Sequence, residues 1–196
     1  RPAHKVAEYG GSVCRDWISY NVTRPSESRF DKNPNLYLLI QSDDDEGDEV
    51  LVAGGLYVPS SRQVRSIRES IAQDASAFDR LFASKSFAER FPGGFSDERK
   101  SKRPPRGFDP NHPRIESLKL QGFFVWRSYK KREYTSAKFP ELVAADWKQI
   151  LRLNALLDLA LQGRLAKADT HQKGDKRPGL LTRLEEVQAP LRKMDF

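Results

Sequence analysis

The predicted sheet is centred on the run Val50-Leu51-Val52-Ala53-Gly54-Gly55-Leu56-Tyr57-Val58, which Pro59 closes. Its β-branched and apolar residues predict a buried strand, and a proline is typical of a strand end. Two adjacent glycines are unusual here, because glycine weakens a strand unless a bulge or a close approach requires it. We favour a bulge that lets a helix pack against the sheet, and the alternative is a place where a ligand touches the backbone.

A second strand precedes this run at residues 36–41, Leu-Tyr-Leu-Leu-Ile-Gln. Between the two strands, residues 43–49 carry six of the 27 acidic side chains of the chain. The pattern predicts an antiparallel hairpin whose charged tip is exposed to solvent. Carboxylates in this run could bind Ca²⁺, but the spacing and flanking helices of an EF-hand are missing. A solvated tip is therefore favoured, and cation binding is left open.

The residues on either side of this hairpin predict helices packed against a sheet. Apolar spacing predicts helices over residues 61–73, 74–84 and 140–162, and a further strand at 123–126. The segment at residues 13–20 fits a strand or a short helix. This order of elements predicts an α+β fold, with a mainly antiparallel sheet packed against helices and a long C-terminal helix as support.

The 196 residues are sufficient for one domain, which we place at residues 1–163. Residues 164–196 are predicted to form a basic, partly mobile C-terminal tail. No apolar run is long enough to span a membrane. The sequence also contains no apolar signal segment, so cytoplasm is the default expectation, with an organelle matrix after transit-peptide removal as the alternative.

The charge balance favours an anionic partner. The chain has 34 Lys and Arg against 27 Asp and Glu, a formal net charge of +7. Without the acidic run, 34 basic residues face 21 acidic ones, which gives +13. Such a surface attracts nucleic acid, phosphate ligands or acidic protein surfaces. Cys14 is the single cysteine and the three histidines are far apart, so no metal or cofactor is predicted.

The most distinctive segment is rich in proline and arginine and covers residues 96–113. Arg103 and Arg106 lie on a proline-stiffened loop, where they could bind a phosphate or carboxylate bidentately. His112 is placed to act as a general acid or base. In the competing interpretation, the arginines pair with nearby carboxylates and His112 caps a helix. Further on, residues 126–134 alternate aromatic and basic side chains, a weak indication of a stacking platform for single-stranded nucleic acid.

Three stretches, at residues 51–59, 63–71 and 102–113, carry a family resemblance in both order and spacing. They are a Gly-Gly strand ending in proline, a helix with an Ile-Arg pair, and a Pro-Arg-Gly-Phe loop leading to His-Pro. Together they resemble a domain-of-unknown-function family of conserved hypothetical proteins from bacteria and fungi, over about residues 29–128. The family stretch upstream of the Gly-Gly strand is shortened here to residues 29–34, and Arg106 replaces a family lysine. The resemblance implies a fold and a candidate basic face, but no reaction.

We therefore expect a basic protein that binds an anionic partner, either a nucleic acid, a phosphate ligand or an acidic protein surface, through the proline- and arginine-rich loop. The candidate ligand-binding residues are Arg29, Lys32, Arg68, Arg103 and Arg106. One alternative is an enzyme that acts on a phosphate- or carboxylate-bearing substrate, with His112 as acid or base and the Gly54-Gly55 backbone on the pocket wall. The other is a structural subunit of a larger assembly that docks through the C-terminal tail.

Overall fold

Four strands form one antiparallel sheet in the computed structural model, which describes residues 16–26, 28–42 and 47–167. The strands are β1 (Trp17–Thr23), β2 (Asn35–Gln41), β3 (Glu49–Leu56) and β4 (Phe123–Ser128), and they lie side by side in that order. The hairpin of β2 and β3 is the predicted one, although its tip at residues 43–46 lies outside the described residues. The segment that fitted either a strand or a helix contributes to edge strand β1.

Six helices and one short turn complete the described part of the chain. They are α1 (Ser61–Gln73), α2 (Ser76–Ala83), α3 (Lys85–Ala88), α4 (Ile115–Leu118), α5 (Lys131–Tyr134), α6 (Phe139–Leu161) and a 3-10 turn at Leu165–Lys167. The α+β class, the antiparallel sheet and the supporting C-terminal helix are confirmed. None of the described helices combines the length and apolar character needed to cross a bilayer.

The N-terminus of α1 is fixed by a capping box. The Ser60 hydroxyl accepts a hydrogen bond from the Gln63 backbone N–H, and the Gln63 side chain accepts one from the Ser60 N–H. Both bonds satisfy donors that a helix start otherwise leaves free. Further along, Ile67 and Ile71 are buried in the core, as the apolar spacing predicted.

Helix α6 covers one face of the sheet, which we call the inner face. Its residues Ile150, Leu153 and Leu157 are completely buried. A Cβ atom added to Gly54 would lie 2.2 Å from Ile150 Cγ2 and 2.6 Å from the carbonyl oxygen of Asn35. Glycine at this position therefore allows the helix to pack directly on β3. The pairing of β3 with β2 continues through both glycines without the bulge that the sequence suggested.

The second glycine, Gly55, is required for a different reason, which lies in the backbone. Gly55 has a φ of +116°, which side-chain-bearing residues rarely adopt, and a Cβ there would lie 2.3 Å from the Phe123 carbonyl oxygen. Because the obstructing atom belongs to the backbone of β4, it cannot move aside as a side chain could. Gly55 is thus required by the close approach of β3 and β4.

The inner side also contains a buried charge cluster. Asp146 of α6 has no solvent exposure, and it accepts hydrogen bonds of 2.5 Å from both Arg90 Nη1 and the Tyr129 hydroxyl. Arg127 Nε lies 3.8 Å from the same carboxylate. Burial, and after it the bond to Asp146, raises the pKa of Tyr129 well above its usual range, so this hydroxyl remains a donor. The carboxylate is therefore fully partnered.

The described residues continue a short way past the predicted domain boundary at residue 163. Leu165, two residues beyond it, is only 2% exposed and belongs to the hydrophobic core. The rest of the predicted tail, from residue 168 onward, lies outside the described residues.

Candidate ligand-binding cavity

The face of the sheet opposite α6, which we call the outer face, forms the floor of a cavity of about 960 Å³. Alternate residues of each strand point to this side. The strand residues that line it include Asn21, Thr23, Asn35, Tyr37, Leu51, Ala53, Gly55, Phe124 and Trp126. Its floor is low at the centre because Ala53 and Gly55 of β3 have small side chains or none.

The strand register places aromatic side chains on both sides of Ala53. Tyr37 of β2 and Trp126 of β4 are its cross-strand partners, and cross-strand partners share a face. Tyr37 is half-buried and Trp126 is 46% exposed, so both rings remain accessible. The next row toward the β1–β2 loop contains Asn35, Gly55 and Phe124. The cavity thus combines an aromatic centre with a more polar neighbouring row.

Residues 24–26 and 28–33, which lie between β1 and β2, form one rim of this cavity, and we call them the rim loop. Two side chains, one from α1 and one from the loop, attach the loop to the start of α1. The Gln63 amide bonds both the N–H and the C=O of Lys32, at 3.0 and 2.6 Å. Asp31 accepts a 2.7 Å bond from the Ser60 hydroxyl and pairs with Arg62. The Ser60 hydrogen bond, followed by Arg62, lowers the pKa of Asp31, which is ionised at neutral pH.

The loop is also bonded internally. The Asn33 amide donates to the carbonyl oxygens of Arg24 and Pro25, at 3.0 and 2.8 Å. The Ser26 hydroxyl lies 2.9 Å from the carbonyl oxygens of both Ser28 and Asp31. Because these backbone groups are bonded within the loop and to α1, the described part of the loop backbone is held in place by the protein itself.

The cations on the rim loop differ in their partners. Arg24 makes a bidentate pair with Asp158 of α6, at 2.6 and 2.7 Å. Arg29 and Lys32, in contrast, have no carboxylate partner among the described residues. Arg29 instead lies 4.7 Å from the ring centroid of Phe30. These two exposed cations are therefore available to an anion at the rim.

A second, smaller cavity of about 500 Å³ lies beside the same rim loop. Arg24, Asp31 and Lys32 line both cavities, and Arg62, Gln63 and Ser66 of α1 line only the smaller one. Among the described residues that line it, three are basic (Arg24, Lys32 and Arg62) and one, Asp31, is acidic. The basic character is therefore strongest where the loop meets α1.

The acidic side chains of the larger cavity stand apart from this region or are already bonded. Glu98 accepts a 2.7 Å hydrogen bond from the Tyr57 hydroxyl, and this bond is the main cause that raises the pKa of Tyr57. Glu49 is the first residue of β3, at the end of the strand away from Gly55. Among the described residues that line the larger cavity, Arg29 and Lys32 of the rim loop are therefore two cations without carboxylate partners.

Comparison with protein families identifies the chain over most of its length. The family described as "Conserved hypothetical protein (DUF2461)" matches residues 15–155. The chain belongs to this family. The matched region includes all four strands, the rim loop and most of α6. Neither the comparison with curated proteins nor that with solved structures returned a match.

In this DUF2461 chain, the predicted ligand-binding residues separate into two groups. Arg29 and Lys32 meet at the larger cavity. Arg103 and Arg106 are exposed on the proline-rich loop, and neither lines either of the two cavities. The competing interpretation paired them with Asp97, Glu98, Asp109 or Glu116. Asp97 and Glu116 instead pair with Lys100, Glu98 accepts a bond from Tyr57, and Asp109 accepts one from the Asn111 backbone N–H. Both arginines thus stay available to an anion, but on an open loop.

Arg68 and His112 have structural partners in the DUF2461 fold. Arg68 Nη2 donates a 2.9 Å bond to the Leu120 carbonyl oxygen, and burial lowers the pKa of this guanidinium. The His112 Nδ1 atom accepts a 3.0 Å bond from the Arg114 backbone N–H, just before α4. His112 lines neither of the two cavities, although the Gly54-Gly55 backbone does form part of the larger one.

The sequence reasoning missed several cavity residues of this DUF2461 protein. Asn21, Asn35, Tyr37 and Ala53 line the outer face, and none was singled out. The sequence signal that could have identified them is the alternation of strand residues around the Gly-Gly pair, because alternate residues point to the same face of a sheet. The described residues contain no cluster of three His, Cys, Asp or Glu placed to hold a metal ion. Cys14 and acidic residues 43–46 lie outside the described part.

Proposed function

We propose that this DUF2461 protein binds a small anionic ligand in the larger cavity, with Arg29 and Lys32 as the anion-binding residues. The observation that carries the proposal is the rim loop itself. Its backbone is bonded to Gln63 and within the loop, while the two cations have no carboxylate partner among the described residues. A site held in place before binding loses less conformational entropy when the ligand arrives.

The shape of the site favours a small molecule over a macromolecule. A volume of about 960 Å³ falls within the range of small-molecule sites, which are concave and combine apolar walls with a few polar groups. Phosphate and carboxylate groups both suit Arg29 and Lys32. The enzyme hypothesis with His112 stays a prediction, and the bond from Arg114 N–H to His112 Nδ1 favours a structural role for this ring.

The proposal is tested with pyrophosphate as the probe, by isothermal titration calorimetry at low ionic strength. In the test variant, Arg29→Ala and Lys32→Ala are combined. The matched control combines Arg103→Ala and Arg106→Ala, which removes the same net charge from the exposed proline-rich loop. We expect the rim-loop variant to lose about tenfold or more in affinity, because two charge-assisted contacts are removed. The control should change by less than about twofold, since only long-range attraction is reduced.

A larger loss of affinity in the control than in the rim-loop variant would show that the proline-rich loop is the anion site, as the sequence suggested. Equal losses in both variants would indicate nonspecific attraction to a basic surface and would contradict the proposal. All variants should keep the melting temperature of the parent protein, because the four side chains are exposed.

A further inference from the structure

The centre of the outer face is shaped to accept a flat ring. Tyr37, Ala53 and Trp126 are consecutive cross-strand neighbours, and we call this group the ring slot. Across two strand spacings the α-carbons of Tyr37 and Trp126 are about 10 Å apart. Between them the floor carries only the methyl group of Ala53. A planar ring system placed there contacts aromatic side chains on both sides, and aromatic pairs attract beyond simple burial.

A polar band separates the ring slot from the rim-loop cations. Asn21 is the β1 partner of Tyr37, and Thr23 and Asn35 are paired in the next row. The Asn35 amide nitrogen donates a 2.8 Å bond to the Asn21 amide oxygen. The other amide atoms, Asn21 Nδ2 and Asn35 Oδ1, have no protein partner among the described residues. One acceptor, on Asn35, is therefore available in the row between the slot and the rim, and one donor, on Asn21, is available beside the slot.

From these positions we infer that the ligand is a nucleotide-like molecule, in which a polar spacer joins a flat ring to an anionic group. This inference rests on the proposed function, because the anionic group occupies the site of Arg29 and Lys32. One row of strand residues corresponds to about 7 Å, the distance that the spacer must cover. A nucleoside monophosphate has this chemistry: the base enters the ring slot, the sugar hydroxyls face Asn21 and Asn35, and the phosphate reaches the rim loop.

Of the three described acidic residues that line the cavity, Asp31 is paired with Arg62, and the other two favour a single nucleotide over a strand of nucleic acid. Glu98 lies on the wall near Tyr57, and Glu49 lies at the far end of β3. A polynucleotide crossing the outer face would bring successive phosphates close to these carboxylates, whereas one phosphate at the rim loop avoids both. Proteins that bind single strands line their grooves with positive charge throughout.

The test compares three probes by calorimetry: adenosine 5′-monophosphate, ribose 5-phosphate without the base, and a deoxyadenosine octamer. The first variant, Ala53→Leu, fills the ring slot, and its matched control Ala144→Leu makes the same change at an exposed position of α6. A second variant, Trp126→Ala, removes one wall without adding volume, so the test does not depend on the folding of one protein.

We expect the monophosphate to bind about tenfold tighter than ribose 5-phosphate, because only the former stacks in the slot. Ala53→Leu should lower the affinity for the monophosphate by about tenfold, and Trp126→Ala should lower it by about threefold or more. Both variants should bind ribose 5-phosphate with an affinity within about twofold of the parent protein. The combined Arg29→Ala and Lys32→Ala variant should lower the affinity for both small probes, and Ala144→Leu should leave both affinities unchanged.

Each other outcome contradicts a different part of the argument. Equal affinity for both small probes, unchanged by Ala53→Leu but reduced by the rim-loop variant, overturns the ring slot and leaves the proposed function standing. No binding of the monophosphate at about 5 mM overturns the nucleotide inference, whereas pyrophosphate still decides the proposed function separately. An octamer that binds more than about tenfold tighter than the monophosphate overturns the single-nucleotide assignment in favour of single-stranded nucleic acid.

Discussion

The two faces of the sheet are built from alternate residues of the same strands, yet they differ in how completely they are filled. On the inner face, Gly54 lies directly against Ile150, and the buried Asp146 is bonded by Arg90 and Tyr129. On the outer face, Ala53 lies one residue away and forms part of the floor of an open cavity. The inner face is therefore filled by the core, whereas the outer face is left open by the described residues.

The same contrast applies to the charges. On the inner side the Asp146 carboxylate is shielded from water, so its hydrogen bonds are strong and their loss is costly. On the outer side, Arg29 and Lys32 are exposed and lack carboxylate partners among the described residues. Substitutions on the inner side should thus reduce stability, whereas substitutions on the outer side should reduce binding and leave stability almost unchanged.

The largest expected effect comes from Asp146→Ala. Removing this carboxylate leaves Arg90 and the Tyr129 hydroxyl without their shared acceptor in a buried position. We expect the free energy of unfolding to fall by about 3 kcal/mol, near the low end for a broken buried pair, because Arg90 keeps partial access to water. Urea denaturation followed by circular dichroism measures this change.

A second variant separates charge from shape at the same position. Asp146→Asn keeps the size of the side chain and one acceptor oxygen, so it should lose less stability than the alanine variant. A loss below about 1 kcal/mol for Asp146→Ala would contradict the role of this cluster and would place it with ordinary exposed ion pairs.

The next largest change in stability is expected from a substitution in β3, and it is compared with a substitution at the neighbouring residue. Gly54→Ala places a Cβ 2.2 Å from Ile150 Cγ2 and 2.6 Å from the Asn35 carbonyl oxygen, so both the Ile150 side chain and the β2 backbone must shift. We expect a loss of about 2–3 kcal/mol, as for an overpacked core. Ala53→Val adds two methyl groups to the open outer face and should cost less than about 0.5 kcal/mol. Thermal unfolding of both variants checks the difference, and equal losses would show that the outer face is packed as tightly as the inner one.

Much of this architecture could be predicted because it depends on local pattern. The apolar spacing of Val64, Ile67 and Ile71 and the cap at Ser60 determine α1, which has the predicted bounds. The alternation and apolar content of β2 and β3 identify the hairpin. Each of these signals lies within one stretch of about twenty residues or fewer, so no knowledge of distant contacts is required.

The cavity could not be predicted in the same way, because it depends on which distant residues become neighbours. Ala53 meets Trp126 only through the pairing of β3 with β4, across more than seventy residues. The Lys32 backbone is held by Gln63, which is 31 positions away. Sequence reasoning named Arg29 and Lys32 from a family resemblance, but it could not separate them from Arg103 and Arg106, since a basic residue looks the same on a rim and on an open loop.

The smallest expected effect concerns the ion pair between Asp158 of α6 and Arg24, which lies at the boundary between the two faces. Burial is the main cause that raises the pKa of Asp158, and the pairing with Arg24 opposes it only in part. The raised pKa means that the folded state holds this proton more tightly than the unfolded chain does. The resulting stability is present at low pH and is lost as the pH rises through the raised pKa.

At pH 7, Asp158→Asn should consequently change the free energy of unfolding by less than about 0.5 kcal/mol, because the ionised carboxylate is disfavoured by burial and its partner is mostly exposed. The parent protein should gain stability relative to the variant as the pH is lowered from 7 toward 4. Freed from its partner, Arg24 can join Arg29 and Lys32, so pyrophosphate should bind about two- to threefold tighter. Glu69→Gln is the control, since it removes an equal charge from the exposed pair with Arg65. A gain of equal size in the control would assign the effect to net charge, and a weaker affinity in Asp158→Asn would show that the ion pair positions the rim loop for binding.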